Sequence, residues 1–411
     1  MAGGALAAFV GSFFVAHLLS PGERGEYASI LVFVTLAATL LEMGGGLGVI
    51  RGLTEDEVDE TRFISGYLCW TLIASVFFGI LAAAASVVFF PWLRPMWFLA
   101  PCGAAAIYSA LVARLVAGLL LSSGKLRTLI MARTAANAGT IPGSLFFLLA
   151  DRPSAVHLAA LSFLCQAVLN SLFLIPFRCV RSCLKRFVSC SFPAHPLRDA
   201  HVVWRRSNVH LHLLNVATYA MLRSDQIALS LLGAGSTLGI YAVAANMSEV
   251  IGYVPVALLP LVARGRPDSP VHLRKIFLAL GAGIALVTPA AFFAFPLVYG
   301  SEYRSGSYAL LVLMPASGVL AVGRLIQGVE LREPARRKSL AGIALVAGVI
   351  EFAAVLLLGG TSAVHTALAC TTGYGVFTIW VALSRRKGDP GATTGIESNP
   401  PLPRKSAIPA A

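Results

Sequence analysis

The stretch from Ile276 to Tyr299, IFLALGAGIALVTPAAFFAFPLVY, carries no charged side chain. As a helix it exceeds the roughly 20 residues that cross the hydrocarbon core of a bilayer at about 1.5 Å per residue. Residues 63–90 read the same way. A core helix of a soluble protein would show one apolar stripe and one polar face, and neither run does. Outward from these two, apolar runs between polar punctuation predict spans near 3–19, 26–50, 63–90, 96–121, 128–150, 155–177, 209–232, 237–262, 276–299, 306–329, 339–358 and 364–383. Composition agrees: 57% of the 411 residues are hydrophobic and 12% charged, against about 25% charged in an average soluble domain. The expected fold is therefore an all-α integral membrane protein of about twelve transmembrane helices, with no room for a soluble catalytic domain.

Orientation follows from the basic residues. With a cytoplasmic N-terminus, 24 of the 32 Lys and Arg residues fall in inner segments and 4, namely Arg24, Arg94, Arg152 and Arg304, in outer loops. The positive-inside rule then predicts both termini in the cytoplasm. Basic loops beside anionic headgroups also account for the net charge of +13, and no aromatic-interleaved basic patch points to nucleic acid. The longest loop, 178–208, divides the chain into an N-terminal six-helix half (1–177) and a C-terminal half (209–383), around a central cavity. The tail, 384–411, is rich in Pro, Gly, Ser and Thr and reads as a disordered cytoplasmic segment. Leu6 to Leu19 lacks a basic n-region and reads as a first span rather than a cleaved signal. The seven scattered cysteines predict no disulfide, and Cys179, Cys183 and His195 fit no zinc spacing. No cofactor and no metal are expected.

The division has an echo. Leu18 to Ala28, LLSPGERGEYA, aligns with Leu231 to Ala242, LLGAGSTLGIYA, with one extra residue, each at the outer turn between the first two spans of its half. An even number of spans per half places the relating axis along the membrane normal, an arrangement found in alternating-access transporters.

These residues also carry a family resemblance. The stretch Leu18 to Ala28, followed by Glu42 to Gly48 and Arg51, resembles the N-terminal signature of Wzx-type polysaccharide (O-antigen) flippases. That family belongs to the multidrug/oligosaccharidyl-lipid/polysaccharide exporter superfamily. Ser224 to Ile227, Gly239 to Ala244, Pro255 to Pro260 and Val298 to Tyr303 resemble its second half. His17 stands where the family often carries Arg, and 359–375 lacks its Pro-x-x-Gly-x-x-Gly-Ala pattern. The resemblance implies movement of an undecaprenyl-pyrophosphate-linked oligosaccharide across a bacterial plasma membrane, driven by an ion gradient. It implies no bond-making catalysis, and its candidate partners are the lipid substrate, the bilayer and glycan assembly proteins.

Charges at depth name candidate site residues, because an ionisable group at mid-span costs about 2.5–3.5 kcal/mol on insertion scales. Arg114, Arg133 and Arg324 sit a few residues inside the cytoplasmic ends of their spans, and Arg51 closes the second span at that level. A ring of guanidinium groups there suits a pyrophosphate; snorkelling to headgroups is the alternative. Arg223 joins this candidate set. Arg223 and Asp225, two apart, point about 200° apart on a helix and are not partners. Asp225, Glu249, Glu42 and Glu351 are candidates for ion coupling, since a desolvated carboxylate can exchange a proton, or else they neutralise arginines across helices. Asn137, Gln166, Asn170 and Asn215 suit either sugar hydroxyls or neighbouring helices. Two rival functions share these features. A multidrug or cation antiporter would use the same fold, but the basic vestibule argues against cationic substrates. A polyprenyl-phosphate enzyme would need a second acidic motif facing Glu55 to Glu60, which reads instead as a solvated loop.

Overall fold

The computed structural model describes residues 2–42, 60–89, 99–123, 125–148, 154–177, 180–181, 209–251, 270–330, 336–358 and 362–386. Gly44 to Gly48, Arg51, the acidic run Glu55 to Asp59, most of the loop 178–208 with Cys179, Cys183 and His195, Pro255 to Pro260, and the tail after Arg386 lie outside these residues. The described residues form thirteen α-helices and no strand. They are α1 (Ala2–Leu18), α2 (Pro21–Leu41), α3 (Glu60–Phe89), α4 (Leu99–Ser122), α5 (Leu126–Ala138), α6 (Thr140–Leu148) and α7 (Ala155–Leu172), then α8 (Val209–Leu231), α9 (Gly235–Ser248), α10 (Pro270–Tyr299), α11 (Arg304–Glu330), α12 (Arg336–Leu358) and α13 (Ala363–Arg386). Eight helices among the described residues are long and apolar enough to cross a membrane. The surface is inverted relative to a soluble protein: on α10, Leu286 is 78% and Leu297 86% exposed, side chains that only acyl chains would cover favourably.

One span differs from the sequence reading. Residues 128–150 were expected as a continuous helix, but α5 and α6 meet at a break at Gly139. Pro142 lacks the N–H that would reach back one turn, so the helix restarts with Pro142 in its first turn, where no donor is needed. The Thr140 hydroxyl donates to the Asn137 carbonyl at 3.2 Å. Gly139 lies so near Gln166 of α7 that a Cβ would come within 2.8 Å of its Cγ.

The entry into α2 is fixed by a capping box. The Ser20 hydroxyl accepts from the Glu23 N–H while the Glu23 carboxylate accepts from the Ser20 N–H at 3.0 Å, with Pro21 leading the first turn. Between α8 and α9 the chain reverses through Gly233, whose φ of 68° a side chain would resist.

One hydrophobic core gathers Met221, Tyr241, Phe295 and Phe377 from α8, α9, α10 and α13. Others gather Ile107, Leu111 and Leu158 of α4 and α7, and Ile64, Val112 and Leu115 of α3 and α4. Between these cores α2 packs against α8 and α9. There the aligned segments meet: the position of a Cβ on Gly25 is occupied by the Gly235 carbonyl, and that of one on Gly239 by the Pro21 carbonyl. Pro21-x-x-x-Gly25 and Gly235-x-x-x-Gly239 thus cross backbone to backbone, the close approach that small residues four apart permit. Ser29 and Ser230 share a hydrogen bond of 2.9 Å beside the crossing, and the Tyr303 hydroxyl donates to the Leu19 carbonyl at 3.2 Å.

Candidate functional site

A cavity of about 180 Å³ lies between α2, α8 and α9. Its polar lining is Arg24 and Thr35 of α2, Tyr219, Arg223 and Gln226 of α8, and Asn246 of α9. Among the described residues its lining has two guanidinium groups and no carboxylate. Arg223 is aimed by Glu249, which follows α9, through a fork of hydrogen bonds at 2.6 and 3.2 Å. Arg324 of α11 lies within electrostatic range of both Glu249 and Arg223.

A second cluster of sequence-named residues joins α2, α4 and α8. Arg114 donates to the Glu42 carboxylate and, at 2.7 Å, to the Thr39 hydroxyl, and Asn215 donates to the same carboxylate at 3.2 Å. Arg133 stands apart, exposed on α5 and without an ion pair among the described residues. The arginines named together from the sequence are therefore distributed: Arg223 and Arg324 near one carboxylate, Arg114 on another, Arg133 at the surface, and Arg51 outside the described residues.

The third cluster is buried. Asp225 of α8, Glu351 of α12 and Cys370 of α13 are buried with ligand atoms within 4.8 Å of one another. Asp225 accepts from the Tyr241 hydroxyl and, at 2.6 Å, from the N–H of Gln226. Neither Glu351 oxygen has a well-formed hydrogen bond, although the Cys370 thiol and the Ser224 hydroxyl lie close by, and the helix opposite is admitted by Gly373, where a Cβ would sit 2.6 Å from that of Glu351. Two carboxylates this close in a buried site repel each other unless a proton or cation sits with them. The oxygen-rich donor set suits a proton or a hard cation. Asp225 and Arg223 face opposite ways, as their spacing requires, so one helix serves both the cavity and the buried cluster.

Some contributors were not legible beforehand. Tyr241 appeared in the sequence as part of a repeat and Cys370 as a scattered thiol; only the packing of α9 and α13 onto α8 gives them a partner. Arg24, counted above among outer-loop charges, is 2% exposed. Of the polar pairs, Asn170 donates to Ser109 at 3.2 Å and Asn215 to Glu42, so both join helices. The four cysteines among the described residues, Cys69, Cys102, Cys165 and Cys370, are free.

No protein-family model and no curated protein matches the sequence. Solved structures do resemble it. The lipid II flippase MurJ in its inward closed conformation superposes with a TM-score of 0.66 at 12% identity, covering 93% of this chain and 86% of that one. The eukaryotic MATE transporter AtDTX14 gives 0.60 at 14% identity, covering 94% and 92%. A MATE in complex with MaL6 gives 0.55 at 14% identity, covering 93% of each chain. The chain has the all-helical membrane fold shared by MurJ and the MATE transporters.

Proposed function

We propose that this protein is a flippase that moves an undecaprenyl-pyrophosphate-linked oligosaccharide across a bacterial plasma membrane for cell-surface polysaccharide synthesis, driven by an ion gradient. The observation that carries the reading is the cavity lining among the described residues: two guanidinium groups with hydroxyl and amide side chains, the one carboxylate beside them, Glu249, being paired with Arg223. Such a surface fits pyrophosphate oxygens and sugar hydroxyls, and it disfavours the cationic cargo of a drug antiporter. A similar fold occurs in a protein described as a lipid II flippase, which supports the substrate class.

In this reading Arg223, oriented by Glu249, receives the headgroup while the lipid tail stays in the bilayer. Arg114 and Glu42 hold α2, α4 and α8 together at the deeper end of α2. Asp225 and Glu351 take up the coupling ion inside the C-terminal helices. Because Asp225 shares α8 with Arg223, ion occupancy and headgroup binding bias one and the same helix, which is the minimum that coupling requires. The α2–α9 crossing adjoins the Arg24 end of the cavity, which in this reading is the outer end, as the positive-inside rule predicts.

The test is leaflet transfer of a labelled undecaprenyl-pyrophosphate oligosaccharide in liposomes holding the purified protein, with and without a proton or sodium gradient. Protein-dependent, gradient-sensitive transfer is expected. No transfer of several such lipids, together with gradient-driven export of a cationic dye, would replace this reading with the antiporter.

A further inference from the structure

Helix α9 is fourteen residues long, and three separate contacts meet on it. Gly235 and Gly239 cross α2 backbone to backbone. Tyr241 donates its hydroxyl to the Asp225 carboxylate of α8. Glu249, which caps the helix, holds Arg223. Tyr241 follows Gly239 by two residues, about 200° around a helix and about 3 Å along it. The α2 contact and the Asp225 contact therefore lie on opposite sides of one short rod, at almost the same level.

Little slack exists on either side. A Cβ on Gly239 would fall 2.9 Å from the Gly25 nitrogen, so α9 already stands as near to α2 as backbones allow. Tyr241 is fully buried, in one core with Phe295 and Phe377. Asp225 accepts one hydrogen bond at each oxygen, from the Gln226 N–H at 2.6 Å and from Tyr241. The first donor is the next residue of the same helix; the second ties Asp225 to α9. A hydroxyl is held about twice as strongly by a charged acceptor as by a neutral one. Whatever neutralises Asp225, a proton or a cation shared with Glu351 and Cys370, thus loosens Tyr241. Facing Asp225 are Tyr241 from α9, Glu351 from α12, and Cys370 and Tyr374 from α13, while Arg223 and Glu249 act on it from the other side of α8.

We infer that Tyr241 is a positioning residue that carries the charge of the Asp225 and Glu351 cluster to the α2–α9 crossing. The charged carboxylate holds α9 on α8 in the position that the glycine crossing requires, and its neutralisation frees α9 to part from α2. The inference rests on the flippase reading, in which this cluster takes up the coupling ion, and it assigns the link by which ion uptake opens the outer end of the cavity.

The test places spin labels on cysteines at Glu26 and Ser236, exposed residues of α2 and α9 beside the crossing. It uses the full chain in nanodiscs, with every native cysteine except the buried Cys370 replaced. Double electron–electron resonance reads the ratio of close to distant populations in mildly alkaline and mildly acidic buffer, and with sodium chloride replacing choline chloride. With Tyr241 intact, acid or sodium should shift the ratio toward the distant population by about fivefold, the gap between a hydrogen bond to a charged acceptor and one to a neutral acceptor. Tyr241→Phe, which keeps the ring and removes the donor, should lose that response. Asp225→Asn should hold the ratio near its ion-treated value in every buffer, and it carries the comparison if Tyr241→Phe fails to fold. A response of full size in Tyr241→Phe or in Asp225→Asn would overturn the tie, as would a crossing that answers to neither ion when Tyr241 is intact. The two readings fail separately. Gradient-driven lipid transfer by the unaltered protein with an unresponsive crossing would sink the tie and spare the flippase. A crossing that responds through Tyr241, with no transfer of any lipid tested, would do the reverse.

Discussion

Replacing Gly239 by alanine puts one methyl group where two backbones already touch. The new Cβ would lie 2.9 Å from the Gly25 nitrogen and from the Pro21 carbonyl carbon, and closer still to the Pro21 oxygen. Ordinary contact begins at about 3.5 Å, and the obstacle is backbone on a capped first turn rather than a side chain that can swing away. The helices must therefore part by about 1 Å, and overpacking of this kind costs about 1–3 kcal/mol. Only the conformation in which α2 and α9 cross bears that cost. If opening this end separates them, the closed population falls by about 5- to 150-fold relative to the open one. The pair Ser29 and Ser230, whose hydroxyls lie 2.9 Å apart, supplies the assay. In a background where every cysteine except the buried Cys370 is replaced, Ser29→Cys with Ser230→Cys should form a disulfide readily under mild oxidant. Adding Gly239→Ala should slow that reaction by at least about fivefold, and Gly25→Ala should do the same, because the contact is reciprocal. Unchanged rates in both would refute the idea that the glycines set the closed crossing.

Glu351→Gln should leave the protein folded and abolish the dependence of transport on the ion gradient, measured as lipid transfer at matched and unmatched gradients; retained dependence would remove Glu351 from coupling. Gly373→Ala should weaken the same dependence without touching either carboxylate, since its methyl group would press on the Glu351 side chain, and a normal gradient response would show that the helices have room to yield. Arg114→Met leaves the Glu42 carboxylate, 8% exposed, without its cation, at a cost of about 3–5 kcal/mol for a buried pair. The double replacement Arg114→Met with Glu42→Met should recover most of the loss in thermal midpoint, and additive losses would show that the pair is not energetically coupled.

The helices were legible because a bilayer asks for uninterrupted apolar length, and Ile276 to Tyr299 supplies it without any knowledge of partners. The break at Gly139 was not read, although Pro142 was in view, because a proline near a helix end is silent and only the approach of Gln166 makes the break productive. Glycine in the aligned segments was read as a repeat; that Gly25 and Gly239 touch each other is a statement about two chain segments in space, which similarity alone does not make. Helical spacing separated Arg223 from Asp225 correctly in principle, yet their actual partners, Glu249 and Tyr241, come from the next helix, whose rotation no periodicity fixes. Arg24 was misplaced for a related reason. A charge three residues into a span resembles a loop charge until the neighbouring helices close over it.

The reciprocal glycine contact also bears on how the protein is made. The face of α2 that carries Gly25 finds its match only on α9, so it enters the bilayer long before its complement exists. At about 5–20 residues per second of synthesis, roughly two hundred intervening residues leave that bare backbone surface among lipids, or in the care of the insertion machinery, for about 10–40 s. Small residues suit the wait: a strip of proline and glycine presents little for a wrong helix to grip, and it accepts a partner only when another strip as thin arrives.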